Sequence, residues 1–236
     1  MRTKDIRKVA KQRLSNVDVW LGRETDHIRK ALENASRHFD GNDNLTVNTL
    51  EAVYARESSF GLPKKMGERG SAKPAGHFQF SPETARRYGL TVTKNNDQRF
   101  DIDYASSASA RYLKDLHTLL SKDTMLDRGV KTTGVKNPLE RKKFVLGAFN
   151  AGEGSIAKAQ RLAQRAGKNP QLWSDVEKYL TAETKRYIPE VLSYQDEFSL
   201  KSSANKNTKD KNPRKEYRCT EGHWVTIDDR PVFICD

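Results

Sequence analysis

Asn48-Thr49-Leu50-Glu51-Ala52-Val53-Tyr54-Ala55-Arg56-Glu57-Ser58-Ser59-Phe60 is the stretch around which the rest of the chain is organised. Asn48 can cap a helix while Glu51, three residues on, reaches back in a capping-box arrangement. Leu50, Val53, Tyr54 and Glu57 then fall on one face. A carboxyl at the end of an apolar face loses water, which raises its pKa and favours the protonated form that a general acid needs. Two readings of Glu57 follow from this spacing: a proton donor, or a helix-end carboxylate paired with a nearby Arg or Lys.

The chain around this stretch has 236 residues, enough for a real core in one or two domains. Hydrophobic residues make up 35% of it, and no apolar run approaches the roughly 20 residues that span a bilayer. Met1-Arg2-Thr3-Lys4-Asp5 leads into charged sequence without the apolar region of a secretory signal, so the expected routes are another export path, a signal already removed, or action from inside the cell. A net charge of +12 attracts polyanions, among them nucleic acid, anionic lipid and carboxylate-bearing peptidoglycan. The five histidines have no paired helical spacing and give no metal motif.

Taken in order, residues 1–24 read as a basic arm. Asp18 to Phe39 carries Ile28, Leu32, Ala35 and Phe39 in the spacing of a buried stripe, and Asp40-Gly41-Asn42-Asp43-Asn44 breaks it. Gly61 to Gly76 has loop composition and suits the wall of a cleft. Ser81-Pro82 starts a helix that Gly89 ends. The polar loop from Asn95 to Asp103 holds Asp97, Asp101 and Asp103, placed to cap the helix carrying Tyr112, Leu113, Leu116, Leu119 and Leu120. Asn137-Pro138 repeats the cap-then-proline device, and its helix runs to Phe149-Asn150-Ala151-Gly152. Ser155 caps a further helix with Ile156, Ala159, Leu162, Ala163 and Ala166 inward, which Gly167 stops. Trp173 to Leu180 and Glu183 to Phe198 read as the last helices, with Pro189 placed to kink or reset the second.

Residues 199–216 change abruptly to Lys, Asn, Ser and Asp, too polar to fold, and read as a disordered basic linker. In 217–236, Trp224-Val225-Thr226-Ile227 and Val232-Phe233-Ile234 flank Asp228-Asp229-Arg230-Pro231 as a small β-hairpin. Cys219 and Cys235 bound it at a spacing suited to a local disulfide, which in an oxidising compartment contributes roughly 3 kcal/mol. Without oxidation the tail is expected to be mobile or docked on something else.

Four separated motifs now coincide. Glu57-Ser58, Gly76-His77-Phe78-Gln79-Phe80, Ala148-Phe149-Asn150-Ala151-Gly152 and Glu183-Thr184-Lys185-Arg186-Tyr187-Ile188-Pro189 stand in the order and spacing of the family 1 lytic transglycosylases, which the chain resembles over about residues 25 to 195, implying a catalytic domain over 25–198. Thr84-Ala85-Arg86-Arg87-Tyr88-Gly89-Leu90, Gly152-Glu153-Gly154 and Lys168 to Val191 look most like the membrane-bound murein transglycosylase D branch. The resemblance implies a mainly α, goose-lysozyme-like (lysozyme-like) catalytic fold, no cofactor, and peptidoglycan glycan strands of the periplasm or cell wall as partner. His77 and Phe78 replace the family's Leu and Met, Phe149 replaces its Tyr, and no LysM repeats follow. Gly222 to Ile234 resembles short segments of phage structural proteins. Envelope remodelling, a secretion-system accessory and a phage virion or lysis protein are the settings that share this chemistry, with the arm or tail as the partner-binding part.

Usual glycosidases use two carboxylates. The resemblance implies one: Glu57 protonates the bond between N-acetylmuramic acid and N-acetylglucosamine, the substrate acetamido group stabilises the cation, and Glu57 then takes the proton of the C6 hydroxyl as a 1,6-anhydro ring closes. Phe78, Gln79, Asn150 and Tyr187 become substrate-binding candidates, the two amides suited to acetamido and hydroxyl groups. Ser58 either bonds near the cleft and orients the carboxylate, or bonds the local backbone. Asp97 and Asp101 are the candidate second carboxylates of a hydrolytic alternative on the same fold. A third reading is a structural module that holds glycan or nucleic acid by charge without cleaving it.

Overall fold

The computed structural model describes residues 15–127, 129–208, 222–227 and 230–235. The expected arm before Ser15 and the Cys219–Cys235 pairing fall outside the described residues.

Helix α3 (Val47–Ser58) is the most enclosed element: Thr49 through Ala55 are all buried. Burying a side chain such as Leu50 contributes about 1.5–3 kcal/mol, more than the propensity difference of any single residue in the helix, so α3 is held chiefly by packing. It begins two residues before the expected Asn48. Thr46 is the cap, in a reciprocal box with Thr49, whose hydroxyl accepts from the Thr46 N–H at 3.1 Å. Asn48 lies inside the helix, and Glu51 is buried instead of reaching back.

Two long helices flank α3. α2 (Asp26–Ser36) lies between it and α6 (Ile102–Leu120), and α10 (Ala182–Thr208) packs along its other side. α7 (Pro138–Ala151) fills the space between α6 and α10, and α8 (Glu153–Arg165) packs on α7. The cap-then-proline starts are as expected: Ser81 caps α5 (Pro82–Arg87), and Asn137 caps α7 through bonds to Leu139 and Glu140 N–H. α8 begins at Glu153, directly after Gly152, so Ser155 is a residue of its first turn and not its cap. The last expected short helix is α9 (Trp173–Val176) followed by a 3-10 turn, Glu177–Tyr179.

The ends of the helical body differ from the sequence boundaries. α1 (Asn16–Leu21) falls within the expected arm, yet its Val17 and Trp20 are buried. Trp20 meets Tyr194 edge-on at 4.9 Å, and its ring centroid lies 6.4 Å from that of Phe198, so α1 is packed on α10. The expected linker begins as helix, because α10 continues through Pro189 to Thr208. The basic segment after α6 holds a two-stranded ribbon of β1 (Thr124–Met125) and β2 (Lys131–Thr132) that the sequence did not signal. β3 (Gly222–Ile227) and β4 (Arg230–Cys235) pair antiparallel, the hairpin read from the alternation. The fold is mainly α and lysozyme-like, with that small hairpin.

Between α3 and α5 the chain runs through α4 (Pro63–Met66) and a loop closed by a buried ion pair. Arg99 is 0% exposed. Its guanidinium binds both Asp97 oxygens and the carbonyls of Ser71, Lys73 and Phe80. Gly76, at φ +84°, runs against it: a Cβ there would lie 2.0 Å from the Arg99 carbonyl oxygen. Substituting Gly76 would therefore open the loop that carries Gln79.

Candidate active site

Glu57 sits in the last turn of α3, half-buried. The backbone after it is sharply bent: Ser59, Phe60 and Gly61 take φ of 51°, 62° and 75° in succession. Two non-glycine residues in the left-handed region cost of order 1–3 kcal/mol each. Packing offsets that cost, because the Phe60 ring lies 4.5 Å from Tyr54 and 5.9 Å from Phe198. Ser58 belongs to this bend. It is 0% exposed, donates to the Tyr54 carbonyl at 3.3 Å and accepts from Gly61 N–H at 2.9 Å. Of its two expected roles, the structure places it in local backbone bonding.

Glu57 is bound by one neutral donor. The Tyr187 hydroxyl donates to Glu57 Oε1 at 2.6 Å, and Tyr187 is itself fully buried in α10. Burial is the largest influence on the carboxyl and pushes it up to about 7. The Tyr187 bond and the Arg56 charge pull it down, and Glu183 adds to the rise. The same burial, with the carboxyl alongside, holds the Tyr187 hydroxyl well above its ordinary value, so it stays a donor. The expected alternative, a cation paired to Glu57, does not hold among the described residues. Arg56, its neighbour in sequence, ion-pairs with Glu190 at 2.7 Å.

Asn150 reaches the same turns of α10. Its Oδ1 accepts from the Thr184 hydroxyl at 2.8 Å, and Thr184 precedes Tyr187 by one turn. With the carbonyl end engaged, Asn150 has its NH₂ to donate. Gln79 is oriented the opposite way. Its Nε2 is surrounded by the carbonyls of Gly76, Lys65 and Met66 at 2.8, 3.2 and 3.3 Å, an arrangement that assigns the nitrogen to the loop and leaves Oε1 as acceptor. The Gln79 loop docks on α3 one turn before Glu57, where Tyr54 Oη and His77 Nδ1 are 3.1 Å apart. Burial holds His77 down to about 4, so it is neutral there.

The other sequence candidates lie elsewhere. Phe78 is 1% exposed and stacks on Tyr54 at 5.3 Å, which makes it core and not a surface for sugar. Burial alone would raise Asp97, but the Arg99 fork and the Gly70 and Arg99 N–H groups overcompensate and hold it below its ordinary value. Asp101 caps α6 by accepting from Asp103 and Tyr104 N–H. Glu153 is likewise engaged, with Arg87 at 3.0 Å and the Tyr112 hydroxyl at 3.2 Å. Sequence reasoning missed Arg56 and Glu190. The available signal was that Arg56 adjoins Glu57 and that Glu190 stands three residues after Tyr187, on its helical face.

A lysozyme-like helical fold with a carboxyl raised by burial in the last turn of its central helix, a tyrosine bonded to it and two amides on neighbouring segments, defines a class. Residues 36–172, more than half of the chain, match the family model "Transglycosylase SLT domain", and the chain belongs to that family. It is 30% identical over 125 residues to the membrane-bound lytic murein transglycosylase D of Escherichia coli (strain K12), covering 53% of this chain and 23% of that protein. Against the membrane-bound lytic murein transglycosylase F of Pseudomonas fluorescens (strain Pf-5) it is 28% identical over 159 residues, 65% of this chain and 28% of that one. The chain thus spans about a quarter of the length of these relatives. Among the described residues no helix is long and apolar enough to cross a membrane.

Proposed function

We propose that the protein is a peptidoglycan lytic transglycosylase that cleaves the β-1,4 bond between N-acetylmuramic acid and N-acetylglucosamine with Glu57 as its only acid and base. The observation that carries this reading is the Tyr187–Glu57 pair: a carboxyl pushed up to about 7 is substantially protonated at neutral pH, and its one bond, 2.6 Å from Tyr187, comes from a neutral donor. Because Tyr187 donates to Oε1, the acid proton belongs on Oε2 and points away from the ring.

Glu57 Oε2 gives its proton to the glycosidic oxygen as the bond from C1 breaks. The substrate's acetamido oxygen closes on C1 and holds the positive charge. The C6 hydroxyl then attacks C1, the acetamido group is released intact, and Glu57, now a carboxylate, takes the C6 proton. One proton leaves and one returns, and no water enters. Tyr187 bonds the carboxylate more strongly than the acid, which stabilises Glu57 while it is ionised. Asn150, donating, and Gln79, accepting, suit the acetamido and hydroxyl groups of the sugar. A chain of net charge +12 suits a substrate that carries carboxylates.

The test is Glu57→Gln assayed on purified peptidoglycan for turbidity loss and for sedimentation with the insoluble wall. The expected result is a loss of cleavage of about 10²- to 10⁴-fold or more with binding kept. Undiminished cleavage would remove Glu57 from the mechanism, and binding without cleavage by the unmodified protein would make it a glycan-holding module.

A further inference from the structure

We propose that Arg56 and Glu190 are positioning residues that clamp the Tyr187 ring and thereby fix its hydroxyl on Glu57. The inference rests on the proton-donor reading above and names the device that sets it.

Arg56 adjoins Glu57 on α3, and its side chain lies over the Tyr187 ring, with Cζ 5.3 Å from the centroid. Its Nε lies 2.7 Å from Glu190 Oε2, an ion pair held by charge without hydrogen-bond alignment. Tyr187 and Glu190 are three residues apart on α10, so the guanidinium spans the ring from one helix and is tied down beyond it on the other. The position of the tie has a reason. Pro189 lies inside α10 between Tyr187 and Glu190, where it removes the N–H that would bond the Lys185 carbonyl. The helix therefore lacks a backbone bond at the turn that aims the Tyr187 hydroxyl, and the cross-link from α3 holds that turn. A bond of 2.6 Å to Glu57 depends on the backbone turn and first side-chain torsion that set the ring axis, on which the hydroxyl oxygen lies, and on the ring plane, near which its hydrogen lies.

The groups facing Glu57 are Tyr187 and Glu183 of α10 and Arg56 of its own helix. Tyr187 lowers the proton affinity of Glu57 by its bond, while Glu190 has no direct influence of note on it. Signs therefore separate the explanations. If Glu190 acts through the clamp, Glu190→Gln loosens the Tyr187 bond and moves the Glu57 titration to higher pH. If it acts only as a nearby negative charge, its removal moves the titration lower. If it merely staples two helices, the melting temperature falls and the titration stays.

The experiment is a carbon-13 NMR titration of the Glu57 side-chain carboxyl in the folded protein without substrate, with the resonance assigned by its absence in Glu57→Gln. We expect the midpoint to rise by about half a pH unit or more in Glu190→Gln, and no further rise when Glu190→Gln is added to Tyr187→Phe. Arg56→Lys, which keeps the charge and loses the planar guanidinium over the Tyr187 ring, should also raise it and serves if Glu190→Gln folds poorly. An unchanged or lowered midpoint in these variants, or the same rise without the Tyr187 hydroxyl, would overturn the clamp. Because the titration uses no substrate, retained cleavage in Glu57→Gln would sink the functional reading and leave this result standing.

Discussion

Glu57 and Asp97 are both carboxyls withdrawn from water, one at the end of α3 and the other in the loop before α6. Asp97 is 1% exposed and lies against a guanidinium that reaches both of its oxygens, so it remains charged. Glu57 receives one hydroxyl and rises to about 7. Burial raises both groups, and the partner decides the outcome. A carboxylate so completely bonded cannot also activate a water, whereas a protonated one with a free oxygen can give its proton away. On the function proposed above, this difference is what suits Glu57 to act as the single acid, while Asp97 is bonded into the fold.

The largest way to sharpen the contrast is Asp97→Asn. It leaves the wholly buried Arg99 with no counter-charge, and breaking such a pair costs about 3–5 kcal/mol. A thermal melt should show a drop of roughly 2–4 °C per kcal/mol, while cleavage per folded molecule, assayed well below the new midpoint, stays near the starting value. Loss of cleavage in a protein that melts normally would return Asp97 to the chemistry.

Tyr187→Phe comes next and acts from the other side. Removing a hydrogen bond to a charged group lowers the rate by about ten- to a hundredfold. It also removes an influence that lowers the Glu57 carboxyl, so the fall in rate at alkaline pH, expected near 7 in the unmodified protein, should move higher. A pH profile of turnover with its alkaline limb unmoved or lowered would break the pairing on which the contrast depends.

The smallest effect concerns a third carboxyl. Glu51 stands on α3 six residues before Glu57, buried, with Oε2 lacking a partner among the described residues. Burial first, and then the neighbouring Glu24 and Glu33, push it up to about 8, against the pull of Arg29. A carboxyl whose folded value lies above the ordinary 4.5 binds its proton more tightly in the folded state, so stability is lost as pH rises from there towards 8. Glu51→Gln should therefore change the melting temperature little at pH 5 and raise it by a few degrees at pH 9. An equal shift at both values would mean that Glu51 does not titrate in that range.

Much of this was legible because local chemistry determined it. Ser81-Pro82 and Asn137-Pro138 announce helix starts through a cap and a preset φ, and the Val53, Tyr54, Glu57 face follows from helical period alone. Thr46 was harder to prefer over Asn48, since either residue type can cap and only the packing of Leu50 and Val53 selects the register. Trp20 reads as part of a basic arm until Tyr194 and Phe198, far along the chain, supply its aromatic neighbours. Ser58 and Phe78 carry family motif positions but point inward, a fact fixed by the left-handed bend and by Tyr54. Arg56 could be read as a partner for Glu57 because they are adjacent, and its true partner lies on another helix. Sequence locates Glu57, and tertiary contacts determine what surrounds its carboxyl.

The most direct test of the account is the mass of the products from exhaustive digestion of purified peptidoglycan by the unmodified protein, analysed without chemical reduction. A single glutamate that returns the C6 proton predicts muropeptides ending in 1,6-anhydro-N-acetylmuramic acid, one water lighter than their hydrolytic counterparts. Reducing ends bearing an added water would contradict it, and would require a second group near Glu57 that activates water.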